Sequence, residues 1–356
     1  MAKIKAIILQ LNYSFENDKK RYEFFQQEFE MLAGAGFDVE IRKADETNEE
    51  LLMEVLHDAD VAVCLGNPPF TRKVIESLPK LQIIQRCGIG LNSVDLEAAT
   101  EFGKIVYYVP GYCIYELALH AVGLMLANLR NICWYDRNMR QGLWRKGGGP
   151  TPRSLSSLTV GLFGFGGSAA ILAKMLKDGF SATVVTCDPF VSPQKAKEAG
   201  VRLVDFETLL KESDIISLHA ALTKETKHTF NAAAFKKMKN NAMIINIARG
   251  GLIDVAALTE ALQSGEIGFA GLDVFEVEPM PAEHPLYGLD NVVLTPHSAY
   301  FSEESTFVYK QLSAFLPIEA FTQKKLYKKQ LANPDILEKL SHFAIEPEAP
   351  MPIFVK

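Results

Sequence analysis

Apolar residues in this chain cluster in short, nearly unbroken runs, separated by stretches in which they recur every three or four positions. The short runs fit strands buried on both faces of a sheet, and the wider spacing fits helices packed over that sheet. Residues 3–11 read as a strand, 18–33 as a helix, and 37–43 as a second strand after the Gly34-Ala-Gly36 stop. Asp60 to Leu65 and Leu81 to Gln85 continue the alternation. A long apolar helix is expected from Cys113 to about Arg130, and Gly147-Gly-Gly-Pro-Thr-Pro152 reads as a loop or linker. Beyond it, Leu158 to Phe163 is a buried strand, Ala169 to Leu176 has helical character, and Ala182 to Asp188 is a further strand. Strands alternating with helices predict a parallel α/β architecture. At 356 residues the chain can support two domains with cores of their own.

The turn in Leu158-Thr-Val-Gly-Leu-Phe-Gly-Phe-Gly-Gly-Ser-Ala169 joins strand to helix in the order required of a dinucleotide fingerprint. Gly164 permits the tight turn, and Gly166 lets backbone approach a pyrophosphate. Ala169 is small enough for close packing of helix on strand. Gly167 and Ser168 open the helix, whose N-terminus faces the negative charge. Asp188 ends the next strand 24 residues beyond Gly164, near the spacing of a carboxylate that grips the ribose 2′-hydroxyl. It would repel a 2′-phosphate and no Arg follows it directly, so the cofactor reads as NAD rather than NADP. An Asp that merely starts a Pro-containing turn is the alternative, and it loses weight with the fingerprint in front.

Three residues nearer the C-terminus carry the chemistry. Arg249 lies in Met243-Ile-Ile-Asn-Ile-Ala-Arg-Gly-Gly-Leu-Ile-Asp254, Glu278 in Leu272-Asp-Val-Phe-Glu-Val-Glu-Pro279, and His297 in Val292-Val-Leu-Thr-Pro-His-Ser-Ala299. A guanidinium holds an α-keto carboxylate in fixed geometry through its planar fork. An imidazole gives and takes the proton that accompanies a hydride, and a carboxylate beside it orients the ring and favours its charged form. Singly, each has a plainer reading: a surface ion pair, a solvated loop acid, a turn histidine. Their joint occurrence, with 29 residues from Arg249 to Glu278 and 19 from there to His297, favours a site.

With these motifs in order, the chain resembles the D-isomer-specific 2-hydroxyacid dehydrogenases over roughly residues 3 to 325. Gln85-Arg-Cys-Gly-Ile-Gly-Leu-Asn-Ser-Val-Asp-Leu-Glu-Ala-Ala99, Val109-Pro-Gly-Tyr-Cys-Ile-Tyr-Glu116, Asn246-Ile-Ala-Arg-Gly-Gly251, Asp273-Val-Phe and Pro296-His297 carry the rest of the likeness. The resemblance implies two doubly wound, Rossmann-like parallel-sheet domains with the active site in the cleft between them. Residues 1–110 with 298–330 would bind substrate, 111–297 would bind NAD, and 331–356 would form a C-terminal extension. It carries the roles of carboxylate-binding Arg, orienting Glu and acid/base His onto Arg249, Glu278 and His297. Asp273 would contact the nicotinamide carboxamide, with Ala248 and His219 also on the cofactor side. Backbone amides of Gly88 and Ile89 would hold the substrate carboxylate alongside Arg249. Trp134 and Trp144 flank an arm that in relatives packs across a dimer interface, which implies a homodimer; core packing within one subunit is the alternative.

Substrate class is read from departures and matches. Relatives that act on phosphoglycerate carry an Arg-Ser-x-Thr stretch where this chain has Gly66-Asn-Pro-Pro-Phe-Thr71, and no cation follows until Arg72, so a non-phosphorylated 2-oxo or 2-hydroxy acid is expected. Formate-oxidising relatives replace the Glu by Gln, which Glu278 argues against. Tyr300 and Tyr112-Cys-Ile-Tyr-Glu116 resemble the C-terminal-binding-protein-like branch, and a Tyr near the site suits an apolar or aromatic side chain. That branch supplies a competing function, an NADH-sensing, corepressor-like binding module with incidental activity. Gly167-Ser168 replaces the usual bulky or basic residue plus Ile at the phosphate turn, Ala221 a common Pro, Asn92 a commoner Asp, and Leu119 a frequent acid.

Composition narrows the alternatives. A net charge of −6 offers no basic footprint for nucleic acid. The five cysteines (64, 87, 113, 133 and 187) form neither a C-x-x-C pair nor a zinc spacing, so no metal is expected and the thiols read as reduced in a cytoplasmic protein. The N-terminal apolar run is too short for a signal peptide or membrane span. The last residues, with Glu346-Pro-Glu-Ala-Pro-Met-Pro352, read as a partner-binding tail or a packed or disordered terminus.

Overall fold

The computed structural model describes residues 3–11, 15–144 and 151–352, so most of the expected linker at 147–152 lies outside the described residues. The chain divides into two compact units, Met1–Tyr112 with Ser302–Lys356, and Cys113–Phe301. In the first, β1 (Lys5–Gln10), α1 (Asp18–Gly34), β2 (Asp38–Lys43), α2 (Glu49–Leu56), β3 (Val61–Cys64), α3 (Arg72–Ser77), β4 (Ile83–Arg86), α4 (Leu96–Glu101) and β5 (Ile105–Tyr107) alternate. The strands form one parallel sheet in the order β2-β1-β3-β4-β5, the flavodoxin-like winding. Each of these four helices starts where its sequence supplies a cap: Asn17, Asn48, Thr71 and Asp95 accept the backbone N–H three residues on. Such a cap contributes about 1 kcal/mol. Ile7, Leu9, Ala62, Ile84 and Val106 line one face of the sheet and pack with apolar residues of α2, α3 and α4.

The second unit opens with α5 (Ile114–Leu129) and α6 (Ile132–Arg140), separated by Asn131 in the left-handed conformation (φ 53°). The expected long helix is thus followed by a second, short one with no buried residue. Then come β6 (Thr159–Phe163), α7 (Gly167–Phe180), β7 (Thr183–Cys187), α8 (Pro193–Glu198), β8 (Arg202–Leu203), α9 (Phe206–Glu212), β9 (Ile215–Leu218), α10 (Ala232–Phe235), β10 (Met243–Asn246), α11 (Val255–Ser264), β11 (Phe269–Leu272) and β12 (Val292–Leu294). All seven strands are parallel, in the order β12-β11-β10-β9-β6-β7-β8. The order reverses between β6 and β9, and at such a switch point the carboxyl ends of the strands leave a crevice for a ligand. Ala118, Ala121 and Met125 of α5 pack with Leu172 and Leu176 of α7 over Val160 and Leu162 of β6. On the opposite side Phe163, Phe206 and Phe230 meet with ring centroids 5.2–5.7 Å apart and support the carboxyl end of β6 from below.

The chain then returns to the first unit. α12 (Glu303–Thr322) starts in a capping box formed by Ser302 and Ser305 and contacts α1, β3 and β4. β13 (Lys325–Tyr327) pairs in parallel with β14 (Ala344–Glu346), and the segment between them lies along β5. There Ala332 N–H donates to Val106 O (2.8 Å) and Tyr108 N–H to Gln330 O (3.1 Å), while Asn333 Oδ1 accepts from Val106 N–H (3.0 Å). Ala349 N–H donates to the buried Gln330 side chain (3.0 Å), so the tail is packed at least that far.

Between α1 and α12 the carboxyl of Glu28 lies buried, with Lys310 Nζ 3.6 Å away and itself donating to Phe24 O. Burial outweighs the pull of Lys310 and pushes Glu28 up to about 7. The folded chain therefore binds this proton more tightly than the unfolded chain. The stability it contributes is complete below the ordinary Glu value and falls as pH rises to about 7, by roughly 1.4 kcal/mol per pH unit. Urea midpoints at pH 5 and pH 8 should differ more in the wild type than in Glu28→Gln, by up to about 3 kcal/mol in stability. An identical pH dependence in both proteins would contradict the buried, protonated carboxyl.

Candidate active site

β6 is followed by Gly164 with φ 90°, a conformation that favours glycine, and a Cβ there would lie 2.7 Å from the backbone N of Ala220. Gly166 caps α7 with no side chain over the first turn and open space within 4 Å of its would-be Cβ. Backbone amides of the first turn are thus uncovered in a cradle that fits a pyrophosphate. Ala169 is fully buried against the core, as close packing requires. Asp188 follows β7, and its carboxylate accepts N–H bonds from Phe165 and Phe190, each 2.7 Å. The acid therefore joins the tip of β7 to the glycine turn while a lone pair on each oxygen stays available to a ribose. His219 follows β9, and burial pushes its imidazole down to about 4, although its edge is not wholly covered. It stands between Ser168 and Ser217.

Arg249, Glu278 and His297 all belong to the second unit, on loops that follow β10, β11 and β12. Asn246, fully buried at the end of β10, shapes the Arg249 turn: its Oδ1 accepts from Ala248 N–H (3.0 Å) and its Nδ2 donates to Arg249 O (2.9 Å). Glu278 Oε2 lies 2.6 Å from His297 Nδ1, and Oε1 accepts from Phe275 N–H at 2.8 Å. Burial alone would raise the Glu278 carboxyl, but the hydrogen bond to His297, the His297 charge, the Phe275 amide and the Arg249 charge outweigh it. The group is held below the usual carboxylate range. With Nδ1 tied to a carboxylate, Nε2 is the ring nitrogen left to exchange a proton with a bound molecule.

His297 has a left-handed backbone (φ 51°), uncommon for a residue with a side chain. Asp273 holds it there. Its carbonyl accepts from His297 N–H (2.7 Å), and its carboxylate accepts from Thr295 Oγ1 (2.6 Å), Ser298 N–H (2.9 Å) and Ala299 N–H (2.9 Å). The side chain is 1% exposed, so the carboxylate, expected at the nicotinamide carboxamide, points inward and clamps the histidine loop. His120 of α5 reaches the same cluster, with Nε2 2.9 Å from Thr295 Oγ1. A second His–Glu pair, His228 with Glu276, anchors the loop that bears Glu278. No local pattern in the sequence marks Thr295, His120 or Glu276 as parts of this cluster, because their partners lie 22 to 175 residues away.

Gly88, Ile89 and Tyr300, also expected at the site, are carried by other segments. Gly88 and Ile89 follow β4 in the first unit, where Gly88 O accepts from Val109 N–H (2.9 Å). Tyr300 is the penultimate residue of the second unit, beside Phe301, with ring centroids 6.2 Å apart. Trp144 is 77% exposed and Trp134 half-buried, which does not fit a core role for the former. No disulfide joins the five cysteines, and no cluster of acidic, His and Cys side chains suited to a metal occurs among the described residues. No helix among the described residues is long and apolar enough to cross a membrane.

Comparison with known proteins gives the same picture. A family model for the NAD-binding domain of D-isomer-specific 2-hydroxyacid dehydrogenases matches residues 122–299. The chain is 40% identical over 272 residues to a D-3-phosphoglycerate dehydrogenase of Archaeoglobus fulgidus, a match covering 76% of this chain and 50% of that protein. It is also 40% identical over 276 residues to a glyoxylate reductase of Thermococcus litoralis, covering 74% and 83%. The solved apo-structure of D-lactate dehydrogenase from Escherichia coli superposes with a TM-score of 0.77 at 31% identity, over 92% of this chain and 100% of the other. The chain spans about half the length of the phosphoglycerate dehydrogenases it matches.

Proposed function

This chain belongs to the D-isomer-specific 2-hydroxyacid dehydrogenase family, its second unit being the NAD-binding domain, and we propose that it interconverts a non-phosphorylated 2-oxo acid and its D-2-hydroxy acid. The observation that carries this reading is the 2.6 Å contact of His297 with Glu278, on a loop fixed by Asp273, with the Arg249 charge beside the pair. Held at the glycine turn and by Asp188, NADH would supply the hydride to C2 in the reducing direction. His297 gives its Nε2 proton to the carbonyl oxygen as that oxygen becomes an alkoxide, and Glu278 offsets the charge of the ring before transfer. Arg249 binds the carboxylate and polarises the carbonyl. Glu278→Gln should move the pH–rate profile to lower pH, because the amide accepts the Nδ1 hydrogen yet brings no charge to favour imidazolium. A profile that does not move would refute the pairing.

Three features support a substrate without phosphate, although phosphoglycerate dehydrogenases are among the relatives. Arg72 is paired with Glu101 (2.7 Å), and Thr71 caps α3 and donates to Glu49. Arg86 is buried and donates to Cys64 O, Gly90 O and Asn67 Oδ1. Tyr300, three residues past His297, favours an apolar or aromatic side chain on the acid. The exposed apolar side chains of Ile132, Met139 and Trp144 suit a second copy of the chain, so a homodimer is part of this reading, and cysteines without disulfides suit the cytoplasm.

The test is loss of NADH absorbance with a panel of 2-oxo acids running from glyoxylate and pyruvate to hydroxypyruvate, phosphohydroxypyruvate, branched and aromatic members. Turnover above about 1 s⁻¹ on a non-phosphorylated subset is expected. Preference for phosphohydroxypyruvate would overturn the substrate class. Flat traces with NADH still bound would favour the binding-module alternative.

A further inference from the structure

His219 stands at the carboxyl end of β9, beside the strand-order switch, with a hydroxyl on each ring nitrogen. Ser168 Oγ lies 3.1 Å from Nδ1 and Ser217 Oγ 2.9 Å from Nε2. The imidazole is neutral, so one nitrogen carries a hydrogen and the other a lone pair. Ser217 decides which. Its side chain lies within β9 with no exposed surface, and among the described residues its hydroxyl bonds to nothing but His219 Nε2. A buried O–H with no acceptor is costlier than an oxygen with an unused lone pair. Ser217 therefore donates to Nε2, the ring hydrogen sits on Nδ1, and Nδ1–H donates to Ser168. Ser168 acts as the acceptor and keeps its own hydrogen uncommitted. It is the second residue of α7, next to the exposed Gly166 and Gly167.

We propose that the Ser168 hydroxyl donates that hydrogen to a pyrophosphate oxygen of NAD, and that His219 and Ser217 are positioning residues that fix its direction. The proposal rests on the NAD-dependent reading above. It also accounts for Ser168 at a place where the resembling pattern has an apolar residue: a side-chain donor joins the backbone amides that the fingerprint supplies. The tautomer of His219 is set by burial of Ser217, not by bulk pH, so the donor is present across the neutral range.

NADH affinity, read from its fluorescence on binding, separates the outcomes. Ser168→Ala should weaken NADH and ADP-ribose by roughly ten- to a hundredfold, the loss of one hydrogen bond to a charged group. Adenosine, measured as a competitor, should bind unchanged, and Ser168→Thr should restore most of the loss. In parallel, imidazole ¹⁵N shifts should show hydrogen on Nδ1 of His219 and a lone pair on Nε2. Unchanged NADH affinity in Ser168→Ala overturns the proposal, as does the opposite tautomer. An equal loss of adenosine does so too, since it would mean a disturbed helix start. A wild-type chain that binds no NADH would remove the dehydrogenase reading first, and this inference with it.

Discussion

His297→Asn should lower kcat by ~10²–10⁴-fold, the usual contribution of a general acid or base, while NADH binds as before. Asn suits the test because it tolerates the left-handed backbone that His297 adopts, so the loop clamped by Asp273 can keep its shape. Its amide can still meet the Glu278 carboxylate. What it lacks is an exchangeable proton near neutral pH. Fluorescence titration with NADH and steady-state turnover together decide the matter: loss of binding along with turnover would make the histidine structural.

Gly250→Ala should be nearly as damaging, although Gly250 takes no part in the chemistry. A Cβ at that position would lie 1.9 Å from the backbone carbon of Phe275, 2.1 Å from its oxygen and 2.4 Å from the nitrogen of Glu276. Backbone cannot rotate aside as a side chain can, so the two loops must part by about an ångström. Those loops carry Arg249 and Glu278, and the Phe275 N–H is the one that Glu278 accepts. A displacement of that size costs ~10²-fold in kcat/KM, with about 1–3 kcal/mol of stability from overpacking. Gly179→Ala is the control. It lies in α7 with nothing within 4 Å of the new Cβ, and should leave rate unchanged while adding about 0.5–1 kcal/mol. Equal kinetics in Gly250→Ala and wild type would mean the loops are not held in register by that contact.

These two substitutions mark what was and was not legible in the sequence. Strands buried on both faces declare themselves as apolar runs: β1, β3, β6 and β7 fall within the runs read as strands, and β4 overruns its own by one residue, the buried Arg86. The glycine turn was legible because a tight turn, a helix start and a following carboxylate sit close together in the chain. His297, Glu278 and Arg249 were legible through their settings. α6 was read only as an arm, since its apolar residues face outward and no core records them. β8, two residues long, leaves no periodic trace at all. The clamp of Asp273, Thr295 and His120, and the approach of Gly250 to Phe275, join segments far apart in the chain. Such contacts follow from how strands are ordered, which no local pattern encodes. The inward turn of the Asp273 carboxylate is the clearest instance, since its direction is set by a loop 22 residues on.

The two rims of the first unit's sheet are guarded by different means. β2, whose sole strand neighbour among the described residues is β1, carries Asp38, Glu40, Arg42 and Lys43, with Arg42 paired to Glu40 and Asp58. β5 is instead overlaid by the chain itself, where Gln330, Ala332 and Asn333 take up its hydrogen-bonding groups. An uncovered strand edge is a template for another chain. Salt or acid therefore disarms one rim, because charge protects it, and leaves the other intact. Lifting the 330–333 segment does the reverse: it would leave a folded protein sticky along β5 alone.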